Sequence, residues 1–152
     1  MESRMKFTTT QPDPVIRAFY ASLSFKTGEA PDLAGLKALF HSSGRLTRCT
    51  PRGWDTFSVD EFIVTYERVL RMGFLSAFVE KEVWRETHVF GSVGQVFSAY
   101  EARRSPEDSA PYACGINSMQ LVFEEGKWFL LSVVWDEKNP GHPAIYERVP
   151  PK

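Results

Sequence analysis

Apolar positions along this chain fall first at helical spacing and then at strand spacing. Val15, Ile16, Phe19, Tyr20 and Leu23 recur at intervals of three and four, which places them on one face of a helix. Asp13-Pro14 opens it, since aspartate caps free N–H groups and proline is pre-set for the first helical turn. Gly28 and Pro31 punctuate its end, and Asp32 caps a second, short helix with the stripe Leu33, Leu36, Leu39 and Phe40. Arg45 to Thr50 reads as a short strand, and Pro51 to Asp55 as a loop carrying Trp54. Ser58 and Glu61 form a capping box ahead of Phe62, Ile63, Tyr66, Val69 and Leu70, the buried face of a third helix that stops at Gly73.

From Phe74 onward the period shortens. Phe78 to Phe90, Val93 to Arg103, Tyr112 to Phe123 and Lys127 to Asp136 are long strand-like runs. Gly91-Ser92 suits a type II′ hairpin turn, and Glu124-Glu125-Gly126 separates the last two strands. Helices followed by a four-stranded meander predict an α+β domain with the helices on one face of the sheet. Strands this long bend, and a bent sheet with helices across its concave side makes a cone. Residues 1–12 read as a frayed start, 13–138 as a single domain, and 139–152, with Pro140, Pro143, Pro150 and Pro151, as an irregular tail.

Composition narrows the function classes. A length of 152 residues suits one domain, and 43 % apolar with 24 % charged residues excludes a disordered or collagenous chain. No apolar run is long enough for a membrane span, and the polar start lacks the apolar core of a signal peptide, so a cytoplasmic protein is expected. Eighteen basic against nineteen acidic residues, with no basic stripe, speak against nucleic acid. Cys49 and Cys114 read as reduced thiols in a chain without a disulfide framework. His41, His88 and His142 share no metal-ligand spacing, and no glycine-rich phosphate loop occurs, so neither a metal nor a cofactor is expected. Twelve phenylalanines, five tyrosines and four tryptophans suit a large core, a cavity lining or a subunit interface.

Two stretches carry a family resemblance. Leu39-Phe40-His41-Ser42-Ser43-Gly44-Arg45-Leu46 runs from a helix end into the first strand. Gly115 to Trp135, with Phe123-Glu124-Glu125-Gly126-Lys127-Trp128 at its turn, resembles the closing hairpin of SnoaL-like proteins. With the order of elements, residues 13–138 resemble the nuclear transport factor 2-like superfamily. That resemblance implies the cone-shaped α+β fold. It says little about activity, because the fold hosts isomerases, dehydratases, epoxide hydrolases, polyketide cyclases and non-catalytic binders. Ketosteroid-isomerase-like members carry two carboxyl groups whose positions match Arg48 and Met119 here, which argues against that chemistry. Their helix-one tyrosine matches Tyr20. The Asp-Arg-Asp set of limonene-epoxide-hydrolase-like members and the His-Asp pair of scytalone-dehydratase-like members find no match.

Alternation and the resemblance together place Tyr20, Arg48, Trp54, Tyr66, Arg85, Tyr100, Asn117, Met119 and Trp135 around the pocket. In the last strand, Phe129, Leu131, Val133 and Trp135 would face the cone. Trp128, Leu130 and Val134 would then lie on the convex face, and so many apolar groups there imply a cover, most simply a second copy of the chain in a homodimer. A tail folded back through Ile145 and Tyr146 is the alternative cover.

For the hairpin 78–103 a two-residue turn pairs Arg85 with Ser98 and Val83 with Tyr100, and points Arg85 toward the pocket. A one-residue slip would instead turn Glu82, Trp84, Glu86 and His88 inward and supply the materials of acid–base catalysis. Glu80-Lys81-Glu82 reads as a solvated strand face. Three functions stay open: recognition of a small apolar, carboxylate- or carbonyl-bearing molecule; a SnoaL-like cyclase, dehydratase, isomerase or hydrolase using Glu82, Glu86, Asp55 or His88 as base; and a dimerisation module with a filled cone.

Overall fold

The computed structural model describes residues 10–139. The frayed start expected for 1–9, the tail at 140–152 and the cover by Ile145 and Tyr146 lie outside the described residues. Thr10 to Pro12, expected to fray, are docked: Pro12 is fully buried, and the Trp128 indole Nε1–H donates to the Thr10 carbonyl.

Three helices accompany a six-stranded mixed sheet. The helices are α1 (Asp13–Leu23), α2 (Leu33–Ala38) and α3 (Val59–Arg71). The strands are β1 (Phe40–Thr50), β2 (Gly53–Ser58), β3 (Val79–Phe90), β4 (Val93–Arg103), β5 (Ala113–Glu124) and β6 (Lys127–Glu137). Their spatial order is β2-β1-β6-β5-β4-β3, antiparallel except for the parallel pair β1–β6, and the sheet is not closed. Helix α1 packs on β3 and β6, and α3 on β1 and β2.

Local chemistry accounts for most boundaries. Asp32 accepts from the Gly35 N–H, and Ser58 accepts from the Glu61 N–H, as the caps predict. Asp13 does not cap α1; it sits in the first turn after Pro12, and its carboxylate is engaged elsewhere. Gly91 takes φ 58° at the β3–β4 turn, and Glu125 and Gly126 take φ 50° and 80° at the β5–β6 turn, a left-handed pair that suits the twist of a hairpin. Of the expected loop 51–55, residues 51–52 are a turn and 53–55 begin β2. The adjacent Asp55 and Thr56 interrupt any apolar alternation there, so the edge strand is held by pairing with β1 rather than by burial.

Bulges change the faces. In β6, Gln120 pairs with Ser132 and Leu121 with Leu130, so Leu131 is the extra residue. The alternation reverses there. Trp128, Leu130, Val133 and Trp135 all join the helix-side core, and Val134 alone of the three expected convex residues stays on the outer face. The apolar excess that called for a subunit cover is thus largely a core contribution.

Gly115 shows how tightly the inner face is filled. A Cβ there would lie 2.2 Å from the Asp136 carbonyl oxygen and 2.7 Å from the Tyr100 hydroxyl. Gly115→Ala must therefore move backbone, and a loss of about 1–3 kcal/mol is expected by urea unfolding. A midpoint equal to wild type would show that β5 and β6 part there without cost.

Candidate active site

The decisive local feature lies in β3. Arg85 pairs with Ser98 and Trp84 with Ala99, but Glu82 pairs with Tyr100, which leaves Val83 as a bulge. Arg85 therefore faces inward, as the register set by a two-residue turn has it. Beyond the bulge the parity flips, so Glu82 and Glu80 face inward as well, opposite Tyr100 and Ala102. Strand β3 is clamped at this point: the Glu80 N–H donates to the Ser24 hydroxyl, and Phe25 and Phe78 exchange backbone hydrogen bonds.

A cavity of about 160 Å³ opens between α1, α3 and the inner sheet face. Its wall is mainly aromatic. Phe62 stacks on Tyr66 with ring centroids 6.1 Å apart and meets Trp135 edge-on at 6.2 Å and 88°. Tyr66 meets Phe78 at 6.5 Å and donates its hydroxyl to the Leu23 carbonyl at 2.8 Å. Tyr100, Tyr112 and Asn117 also line it, and among the described residues its charges are Glu80 and Glu137.

Behind the wall runs a directed hydrogen-bond chain. A carboxylate can only accept, so Ser98 donates to Glu82 Oε2 at 2.5 Å. The Tyr20 hydroxyl then donates to Ser98 Oγ at 2.6 Å, and Asn117 Nδ2 donates to the Tyr20 oxygen at 3.0 Å. Arg85 closes the far end, with Nε 2.9 Å from Glu82 Oε1 and a terminal nitrogen 2.7 Å from Asp13 Oδ1. Glu82 is thus tied into a triad with Arg85 and Asp13.

Glu80 differs. Its side chain has no counter-ion among the described residues, and the Asn117 amide is 3.5 Å from Oε1. Burial raises its pKa to about 7, and the Asn117 contact only partly opposes this. Two carboxylates two residues apart therefore have different roles, one fixed by a cation and one poised near neutrality. Burial, followed by the Glu80 charge, raises the hydroxyl pKa values of Tyr66 and Tyr100, so both stay protonated at neutral pH. The Tyr20 hydroxyl is raised by burial above all.

The residues expected around the pocket are dispersed. Tyr66, Tyr100, Asn117 and Trp135 line the cavity. Tyr20 stands behind it in the hydrogen-bond chain, and Met119 is fully buried in the core. Arg85 points inward but is spent in the triad with Asp13 and Glu82. Arg48 lies outside, paired across β1–β2 with Asp55 at 3.0 Å, both about half exposed. Trp54 is 68 % exposed on the edge strand, away from the cavity. Of the expected bases, Asp55 faces Arg48, while Glu86 and His88 pair with each other on the opposite face of β3. Glu82 alone turns inward. Glu80, expected in solvent, is the missed residue. Its one sequence signal is its two-residue spacing from Glu82, which puts both on the same side of a regular strand.

No protein-family model and no curated protein matches this sequence. Solved structures do match in fold. A protein of unknown function with a cystatin-like fold from Nostoc punctiforme is 16 % identical, with a TM-score of 0.65 over 88 % of this chain and 92 % of its own. A nuclear transport factor 2-like protein of unknown function from Shewanella baltica is 12 % identical, with a TM-score of 0.61 over 84 % and 90 %. A nuclear transport factor 2-like protein from Streptomyces avermitilis, provisionally named a dehydratase, is 16 % identical, with a TM-score of 0.62 over 86 % and 96 %. The chain has the nuclear transport factor 2-like fold. Among the described residues no helix is long and apolar enough to cross a membrane.

Proposed function

We propose that this protein is an acid–base enzyme that binds a small, largely apolar molecule in a cone-shaped pocket and moves a proton through Glu80. One observation carries the reading: a carboxyl with a pKa of about 7 faces an aromatic cavity without a counter-ion among the described residues. A base near neutrality combines the right protonation state with useful basicity at physiological pH. The Asn117 amide and the Tyr100 hydroxyl border the same space and give the pocket its neutral polar groups. At about 160 Å³ the space is below the roughly 300–1,000 Å³ of drug-sized sites, which favours a small substrate. The provisional dehydratase name of the Streptomyces avermitilis protein concerns that protein; chemistry of this kind would suit the present site.

The test uses 5-nitrobenzisoxazole, a small neutral aromatic whose ring opens when a carboxylate takes its C–H proton. The rate should rise with pH through about 7 and then level, because the deprotonated form of Glu80 is the base. Glu80→Gln should remove about 10²-fold or more of the rate above solution. A rate unchanged by Glu80→Gln would end the enzyme reading. A binder would take up the probe without turning it over, and a filled dimerisation module would do neither.

A further inference from the structure

We propose that the ligand of this cavity is a small organic cation, an ammonium group beside an apolar body, caged by Phe62, Tyr66, Phe78 and Trp135 and countered by Glu80 and Glu137. The inference rests on the cavity being the ligand site and adds the charge class of what it takes.

The charges that line the cavity are both carboxylates, Glu80 and Glu137. Neither has an ion-pair partner among the described residues. The two arginines that could have suggested an anionic ligand are neutralised elsewhere, Arg85 by Asp13 and Glu82 and Arg48 by Asp55. A carboxylate-bearing ligand would meet repulsion here, whereas a cation would find two carboxyl groups that have no ion-pair partner among the described residues. The wall favours the same charge. Aromatic faces carry negative potential, and cages of several rings recognise ammonium groups. The perpendicular meeting of Phe62 and Trp135 sets two ring planes at a corner, and the Tyr66–Phe78 contact at 71° continues the wall. The tyrosine hydroxyls add no competing charge, since Tyr66 and Tyr100 are held protonated. Tyr112, one of the lining rings, already holds a cation: the Arg104 guanidinium stands 4.7 Å from its ring centre.

Three probes of matched shape test the charge: benzylammonium, benzyl alcohol and benzoate, titrated at pH 7.5 by calorimetry and Trp fluorescence. Benzylammonium should bind at least about tenfold more tightly than benzyl alcohol, and benzoate more weakly than either. Glu137→Gln, a change at an exposed side chain with no ion pair among the described residues, should weaken benzylammonium about three- to tenfold while leaving benzyl alcohol and the melting temperature unchanged. At pH 7, benzylammonium should also release protons from Glu80, read as a buffer-dependent heat. Equal or tighter binding of benzyl alcohol or benzoate, or no binding by any of the three, overturns the proposal. These are equilibrium measurements, so they stand apart from the proton-transfer test. A rate unchanged by Glu80→Gln with the cation preference intact would remove the enzyme reading alone, and a Glu80-dependent rate without that preference would remove only the cation.

Discussion

Glu80→Gln raises the melting temperature at pH 8 and leaves it nearly unchanged at pH 5. The sign follows from linkage. In the unfolded chain Glu80 loses its proton near its ordinary pKa of 4.5, but in the folded protein burial holds the proton up to about 7. Between those values the native state binds a proton that the unfolded state has lost, so stability falls as pH rises. The full benefit of the neutral form is present below 4.5 and is gone above about 7. The difference is on the order of 3 kcal/mol. Glutamine keeps the shape and the oxygen that faces Asn117 but cannot ionise, so the variant avoids the penalty at high pH. For a domain of this size the gain at pH 8 is roughly 5–10 °C. The comparison that matters is the difference between variant and wild type at each pH, because other groups cancel in it. A variant equal to or less stable than wild type at pH 8 would mean that Glu80 ionises without cost, and the poised base would go with it. A stabilising loss of the central group is what a functional site predicts, since its strain is kept for chemistry.

Arg85→Ala lowers stability by about 2–4 kcal/mol, and adding Glu82→Gln returns part of the loss. Arg85 is 20 % exposed and Glu82 16 %, so neither charge is well hydrated. Removing the guanidinium leaves two carboxylates, Glu82 and Asp13, without their shared cation, and Ser98 as the hydrogen-bond donor to Glu82. An unpaired, partly buried charge costs more than the pair contributed. In the double variant, glutamine still accepts from Ser98 and carries no charge, so the Asn117–Tyr20–Ser98 chain keeps its end. Urea midpoints at constant slope give both values. If the double variant lost as much as the sum of the two single changes, the triad would not be a coupled unit. By contrast, Arg48→Ala should shift stability within about 1 kcal/mol, because the Arg48–Asp55 pair is hydrated on an edge.

The two predictions concern opposite halves of one strand segment, and the bulge at Val83 joins them. Had β3 run regularly through Val83, Arg85 would share a face with Val83, and Glu80 and Glu82 would lie in water. Reading alternation from the turn outward gives the right pairing for 84–90 and the wrong parity for 79–82, because one unpaired residue leaves no mark in a pattern of apolar and polar letters. The same holds at Leu131. There the run Trp128 to Trp135 is apolar on both parities, which suits a strand covered on two sides and equally one strand that changes face midway.

The elements that depend on near neighbours are legible in the order of residues alone. Helix faces, the caps at Asp32 and Ser58, the two hairpin turns and the four long strands all follow from spacing and from residues within a few positions of one another. Together they were enough to name the fold. The rest depends on contacts between distant parts of the chain. The pairing of β1 with β6, the strand at Gly53–Ser58, the two bulges and the burial of Glu80 come from groups far apart in the chain. Glu80 has a pKa near neutrality because burial disfavours its charged form and no cation pairs with it among the described residues, Arg85 being held by Glu82 and Asp13. Desolvation and charge balance are sums over three-dimensional neighbours, and no local pattern of letters carries that sum.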